Sequence, residues 1–122
     1  MKWQTLTKQE LEIMKIVWGL KNATVRDVYE TLLAQRRIAY TTVMTMMKIL
    51  EKKKYLKKRV KDRAYVYQPA RPKEQVIQSM VQEFVNRVFN GSAEPLLVHL
   101  VKDRHISEED LRTITRLIQE SQ

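Results

Sequence analysis

Apolar residues recur at helical spacing three times in the first half of the chain, and then the period changes. Leu11, Met14, Val17 and Trp18 predict a first helix with one face toward a core. Thr7 can cap it, Glu10 three residues on completes a capping box, and Leu6 is placed to staple onto Leu11. Gly19 marks its expected stop. Thr24 with Asp27 opens a second helix, whose buried stripe is Val25, Val28, Leu32 and Leu33. A third starts at Tyr40 or Thr41, runs to about Lys53, and gathers Val43, Met46, Met47 and Leu50 on one side.

Beyond Tyr55-Leu56 the pattern suits strands. Lys57-Lys58-Arg59-Val60 and Ala64-Tyr65-Val66-Tyr67 flank the polar turn Lys61-Asp62-Arg63 and predict a hairpin, with Asn22-Ala23 as a weak third strand. Proline at 69 and 72 disfavours continued structure and marks a boundary. Residues 1–70 then form one domain and residues 71–122 a helical region. The latter opens with a long helix, Lys73 to Phe89, whose broad apolar face carries Val76, Ile77, Met80, Val81, Phe84, Val85, Val88 and Phe89. Asn90-Gly91-Ser92 breaks it, and Pro95 opens a short apolar helix over Leu96–Lys102. Ser107 with Asp110 starts a last one carrying Leu111, Ile114, Leu117 and Ile118. The fold class is mainly α with a small β-hairpin: a winged helix-turn-helix domain followed by a C-terminal helical dimerisation region.

Charge gives this frame a partner. Lys and Arg number 23 against 14 Asp and Glu, a net +9, which favours an anionic surface such as nucleic acid. The excess is densest over Lys48–Lys73. The chain has no cysteine, hence neither disulfides nor thiolate metal sites. No apolar run approaches the ~20 residues of a membrane span, and MKWQTLTKQELEIM lacks a signal-peptide core, so a cytoplasmic protein with no membrane partner is expected. His99 and His105 have no ligand constellation around them, and Ser79 and Ser92 have no base. With only two glycines a phosphate-cradling loop is out of reach. Neither an enzyme nor a cofactor is expected.

Opposite the apolar side of the third helix lie Thr41, Met44, Thr45, Lys48 and Lys52. A threonine hydroxyl can bond base edges or phosphates and its methyl can touch thymine, Met44 can make similar apolar contacts, and the lysines reach phosphates. Tyr40, Thr41 and Thr42 stand at the helix start, where amides favour a phosphate; for Thr41, capping its own helix is the competing reading. In the hairpin, Lys57, Lys58, Arg59, Lys61 and Arg63 concentrate positive charge suited to DNA backbone, or to a merely solvated hairpin. Tyr65 and Tyr67 alternate and read as packing residues. The tail has more apolar surface than a short extension can hide, which predicts a homodimer joined through Ile77, Met80, Val81, Phe84, Val85, Val88, Leu96, Leu97, Leu100, Leu111, Ile114, Leu117 and Ile118. Two-fold symmetry would present two recognition helices to a palindromic operator in duplex DNA.

The run Leu6-Thr-x-x-Glu10-Leu11-x-Ile-Met14-x-x-Val17-Trp18, then Ala39-Tyr40-Thr41-Thr42-Val43-x-Thr45-x-Met-x-x-Leu50, then Lys53-Lys54-Tyr55-Leu56 and Arg63-Ala64-Tyr65-Val66-Tyr67, resembles the BlaI/MecI family of penicillinase repressors. The resemblance covers nearly the whole chain and is most specific before residue 70. It implies a winged-helix repressor that dimerises through its C-terminal helices, with Thr41, Thr42 and Thr45 in the DNA-contact role. It also implies an inactivating protease as a partner, since the best-known members are relieved when a β-lactam sensor pathway cuts the dimerisation region. That cut falls at an Asn-Phe pair, which by the apolar pattern should lie near His99-Leu100; no such pair occurs here. The cysteine-containing motif of copper-responsive relatives is also absent. Two alternatives stay open: a repressor of unrelated genes with another signal, and a protein-interaction adaptor that binds no DNA.

Overall fold

The computed structural model describes residues 4–121; the first three residues of the stretch read above for a signal sequence, and Gln122, lie outside the described residues. Helix α1 spans Lys8–Leu20 and begins with the expected capping box: Thr7 Oγ1 accepts from the Glu10 amide, and Glu10 Oε1 accepts from the Thr7 amide. Its buried face is Ile13, Met14 and Val17, with Leu11 and Trp18 only half-buried. The stripe is thus rotated toward Ile13 relative to the sequence expectation. Trp18 stays at the rim because its indole N–H needs an acceptor, which it finds in the Arg71 carbonyl at 3.0 Å. Gly19 does not stop the helix. Lys21 does, at φ 69, donating its amide to the Val17 carbonyl.

Helix α2 (Val25–Leu33) carries a second capping box, Thr24 with Asp27, and buries Val28 and Leu32. Leu33 is 45% exposed, contrary to expectation; a helix of nine residues turns only a narrow stripe inward. Helix α3 (Tyr40–Lys52) buries Val43, Met47 and Leu50 completely and Met46 in part. Leu6, Tyr55, Leu56 and Tyr67 close the core around these helices.

A charged pair ties two ends of this bundle together. Glu10 Oε1, already capping α1, accepts from Lys53 Nζ at 2.8 Å, just past the end of α3, and the two side chains are 6% and 17% exposed. Lys53 also donates to the Thr5 carbonyl, so the ammonium has two acceptors. Burial pushes the Glu10 carboxyl up, but the Lys53 ammonium and the Thr7 amide and hydroxyl outweigh it and hold the group below its usual 4.5.

The wing is an antiparallel pair, β1 (Leu56–Lys61) and β2 (Ala64–Pro69), in register from Leu56 opposite Pro69 to Lys61 opposite Ala64. Lys61 therefore belongs to the strand, and the turn is the two residues Asp62-Arg63 rather than three. Both have positive φ, 51° and 67°, which matches the strand twist of a tight hairpin. The third strand is one residue long: Ala23 and Tyr67 exchange both backbone hydrogen bonds, at 3.0 and 2.8 Å.

The chain divides into two compact units, one up to Val76 and one from Ile77 onward. Helix α4 (Lys73–Phe89) begins in the first and continues in the second, followed by α5 (Glu94–Lys102) and α6 (Glu108–Glu120). Asn90 and Gly91, at φ 56° and 90°, end α4, and the Gly91 amide donates to the Val85 carbonyl. Pro95 lies in the first turn of α5, and Ser107 forms the expected capping box with Asp110. Phe89 joins Phe84 edge-on at 5.9 Å and the His99 ring at 6.3 Å. Val85 is buried; Met80, Leu96, Leu100 and Ile114 are half-buried; Ile77, Val81, Phe84, Val88, Leu97, Leu111, Leu117 and Ile118 are exposed in the single chain.

Glu10→Gln should lower stability at pH 7 by about 1–3 kcal/mol, because Lys53 loses its buried anionic acceptor. A lowered carboxyl contributes stability above its unfolded value and loses it as pH falls through the folded one. The gap between variant and parent in chemical denaturation should therefore narrow below pH 4.5. At the wing, Arg63→Gly should raise stability by about 0.5–1 kcal/mol, since glycine takes positive φ without a Cβ clash; thermal melts of the two chains check it.

Candidate nucleic-acid interface

Burying Val43, Met47 and Leu50 decides what α3 shows to solvent. At about 100° per residue, Thr41, Thr45, Lys48 and Lys52 fall within an arc of about 60° directly opposite. All four are exposed, with Thr42 beside them. Helix α3 is capped at Ala39, with no side-chain cap hydrogen bond. Neither Thr41 nor Thr42 is the cap of its own helix, which removes the competing reading for Thr41. Tyr40, 38% exposed, stands edge-on to Tyr29 at 5.4 Å, and Arg26 of α2 lies over its ring at 5.8 Å.

Strand alternation sorts the wing's cations by face. Lys57, Arg59 and Lys61 share one face. Lys58 and Val60 share the other, paired across the strands with Tyr67 and Tyr65. Lys57, Arg59, Lys61 and Arg63 are exposed. Lys58 is engaged within the protein: its ammonium is 3.9 Å from the Glu51 carboxylate of α3 and 4.4 Å from the centre of the Tyr65 ring. It links the wing to α3.

The two tyrosines read from sequence as packing residues separate. Tyr67 is buried, and burial, with the Glu51 carboxylate and Tyr65, pushes its phenol up. Tyr65 is 60% exposed. It lines a cleft of about 440 Å³ between α3 and the wing, with Thr24, Val25, Arg26, Tyr40, Met44, Lys48, Lys58, Ala64 and Tyr67. The structure thus brings Tyr40, Met44 and Lys48 together with Lys58, and adds Arg26, which carried no sequence expectation, and Tyr65, which read as packing. Their common signal was cation beside aromatic, visible only once α2, α3 and the wing share a surface. Met44, half-buried here, has both apolar packing and an open edge.

Among the described residues no group of three or more His, Cys, Asp or Glu could hold a metal ion. Among them, too, no helix is long and apolar enough to cross a membrane.

Comparison with known proteins agrees with this geometry. The family described as "Penicillinase repressor" matches residues 6–120. The penicillinase repressor of Bacillus licheniformis is 24% identical over 115 residues, covering 94% of this chain and 90% of its own. The transcriptional regulator BlaI of Mycobacterium tuberculosis is 35% identical over 103 residues, covering 83% of this chain and 75% of its own. Among solved structures, the monomeric form of B. licheniformis BlaI in complex with the blaP half-operator superposes with a TM-score of 0.53 at 27% identity, over 60% of this chain and 89% of that one. The reduced form of MarR from E. coli shares the fold, with a TM-score of 0.51 at 9% identity over 95% of this chain and 77% of its own. The chain therefore belongs to the penicillinase repressor family, a family of DNA-binding transcriptional repressors built on the winged helix.

Proposed function

We propose that the protein represses transcription as a homodimer on a palindromic operator, with α3 in the major groove and the wing on the adjacent backbone. The observation that carries this reading is the shared surface of α3 and the wing. Lys48 of the outward α3 face lines the same cleft as Lys58 and Tyr65 of the hairpin, and Thr41, Thr45 and Lys52 on α3 and Arg59, Lys61 and Arg63 on the hairpin are all exposed. Thr45 reads bases through its hydroxyl and methyl. Lys48, Lys52 and the wing's free cations neutralise phosphates and supply affinity that depends on salt.

The capture of B. licheniformis BlaI as a monomer on a half-operator supports a site of two halves for this chain as well. So does the second unit, where Val81, Val88, Leu117 and Ile118 stand about half exposed in the single chain. That much apolar surface on α4–α6 is suited to burial against a second copy, as in obligate dimers. Proteolytic relief fits the same reading only at a sequence other than the Asn-Phe pair of the best-known members, which this chain lacks. A cut in α5, near His99-Leu100, would divide the dimerising helices and leave two weak half-site interactions that no longer reinforce one another.

Genomic fragments retained by the purified protein at moderate salt should be enriched in palindromes upstream of particular genes. On such a fragment Thr45→Ala should weaken binding by roughly tenfold and leave random duplex nearly unaffected, whereas Arg63→Ala should weaken both alike. Equal losses for Thr45→Ala on cognate and random DNA would remove it from the base-reading set. A charge in the apolar face of α6, Leu117→Glu, should turn the dimer into a monomer by sedimentation and leave the melting of the first unit intact. A monomeric parent chain at micromolar concentration would overturn the dimeric reading.

A further inference from the structure

The cleft between α3 and the wing has two walls built alike. On one side the Arg26 guanidinium lies 5.8 Å from the centre of the Tyr40 ring; on the other the Lys58 ammonium lies 4.4 Å from that of Tyr65. Met44 and Lys48 of α3 line the space between them. A solvated hairpin has no use for an aromatic ring left 60% exposed beside a valine, Val60, left 69% exposed. A deoxyribose–phosphate strand does suit such a surface, because it alternates an apolar sugar with an anion.

We propose that this cleft seats one backbone strand of the duplex, with deoxyribose packed on Tyr65 and Met44 and a phosphate held by Arg26 and Lys48. The proposal rests on the operator-binding reading above and adds Arg26 and Tyr65 to it. Charge complementarity favours this occupant, since the cleft's charged lining residues, Arg26, Lys48 and Lys58, are all cations. The surface is also continuous with the α3 face through Lys48. Lys58 shares a contact with Glu51 in which both side chains are about one-third exposed, so Arg26 is the more open of the two cations that lie over rings. Its partner, Glu30, is an i,i+4 neighbour at 3.7 Å with both side chains well exposed, a contact weak enough to yield to a phosphate.

The test is a scan of single methylphosphonates, each neutralising one phosphate of a retained operator, against the parent chain, Arg26→Ala, Tyr65→Ala and Thr45→Ala. Arg26→Ala should bind roughly fivefold more weakly and lower the salt slope by about 1.8, about 0.9 for each half-site. One methylphosphonate position in each half-site should weaken the parent and weaken Arg26→Ala less, because only the Lys48 contact is left to lose there. Tyr65→Ala should lose roughly fivefold with an unchanged slope, because it removes apolar contact and no charge. If Arg26→Ala and Tyr65→Ala bind like the parent while Thr45→Ala still loses cognate affinity, the cleft is not a DNA seat and the operator reading stands. If Tyr65→Ala changes the sedimentation of the free protein, the cleft belongs to a protein contact. If the parent retains no duplex at any salt concentration, both readings fall.

Discussion

Val43, Met47 and Leu50 have no exposed surface, and that constraint leaves α3 a single rotation. Each such side chain contributes about 1.5–3 kcal/mol by leaving water. Turning the helix by one residue would bring all three toward solvent, a loss of the same order as the whole stability of a small domain, about 5–15 kcal/mol. The direction in which Thr45 and Lys48 point is therefore a consequence of core packing, and the surface residues are free to vary in chemistry without moving the helix.

The wing inherits its place from the same core. Tyr55 and Leu56 are buried directly after α3, so the hairpin leaves the domain at a set point. The Ala23–Tyr67 bridge then ties β2 to the turn before α2, and Lys58 braces β1 on Glu51. These ties also reassign charge. Lys53 and Lys58 read in sequence as part of one basic block, yet the first completes a buried ion pair and the second supports the wing. The positive face presented to an anion is accordingly smaller than the net +9 suggests and more sharply placed.

What was legible in the sequence was local chemistry. The capping boxes at Thr7, Thr24 and Ser107 involve groups three residues apart, and all form. The bounds of α4 and the break at Asn90-Gly91 follow from the same short-range rules. The misreadings arose where a distant residue decided the outcome. Ile13 takes the buried place expected of Trp18, which stays at the rim with its indole bonded to the Arg71 carbonyl, 53 positions away in sequence. Tyr65 looked like packing because strand alternation pairs it with Tyr67, but the core ends beneath Tyr67 and the next ring along falls beyond it. Arg26 carried no signal at all until α2 was laid beside the start of α3.

The composition of the α3 face bears on why a second copy matters. Between Tyr40 and Lys52 there is no Arg, Asn or Gln, so α3 carries no bidentate partner for adenine and only Lys48 and Lys52 for guanine. A threonine hydroxyl and methyl discriminate less per base pair, and phosphate contacts do not discriminate at all. On the dimeric reading proposed here, a half-site alone is a poor target, and joining two halves multiplies modest preferences into a usable one. Regulation then needs no ligand at the DNA surface. On that reading, any event that separates the apolar faces of α4–α6 would lower operator occupancy steeply, because what is lost is the linkage between two weak contacts rather than either contact itself.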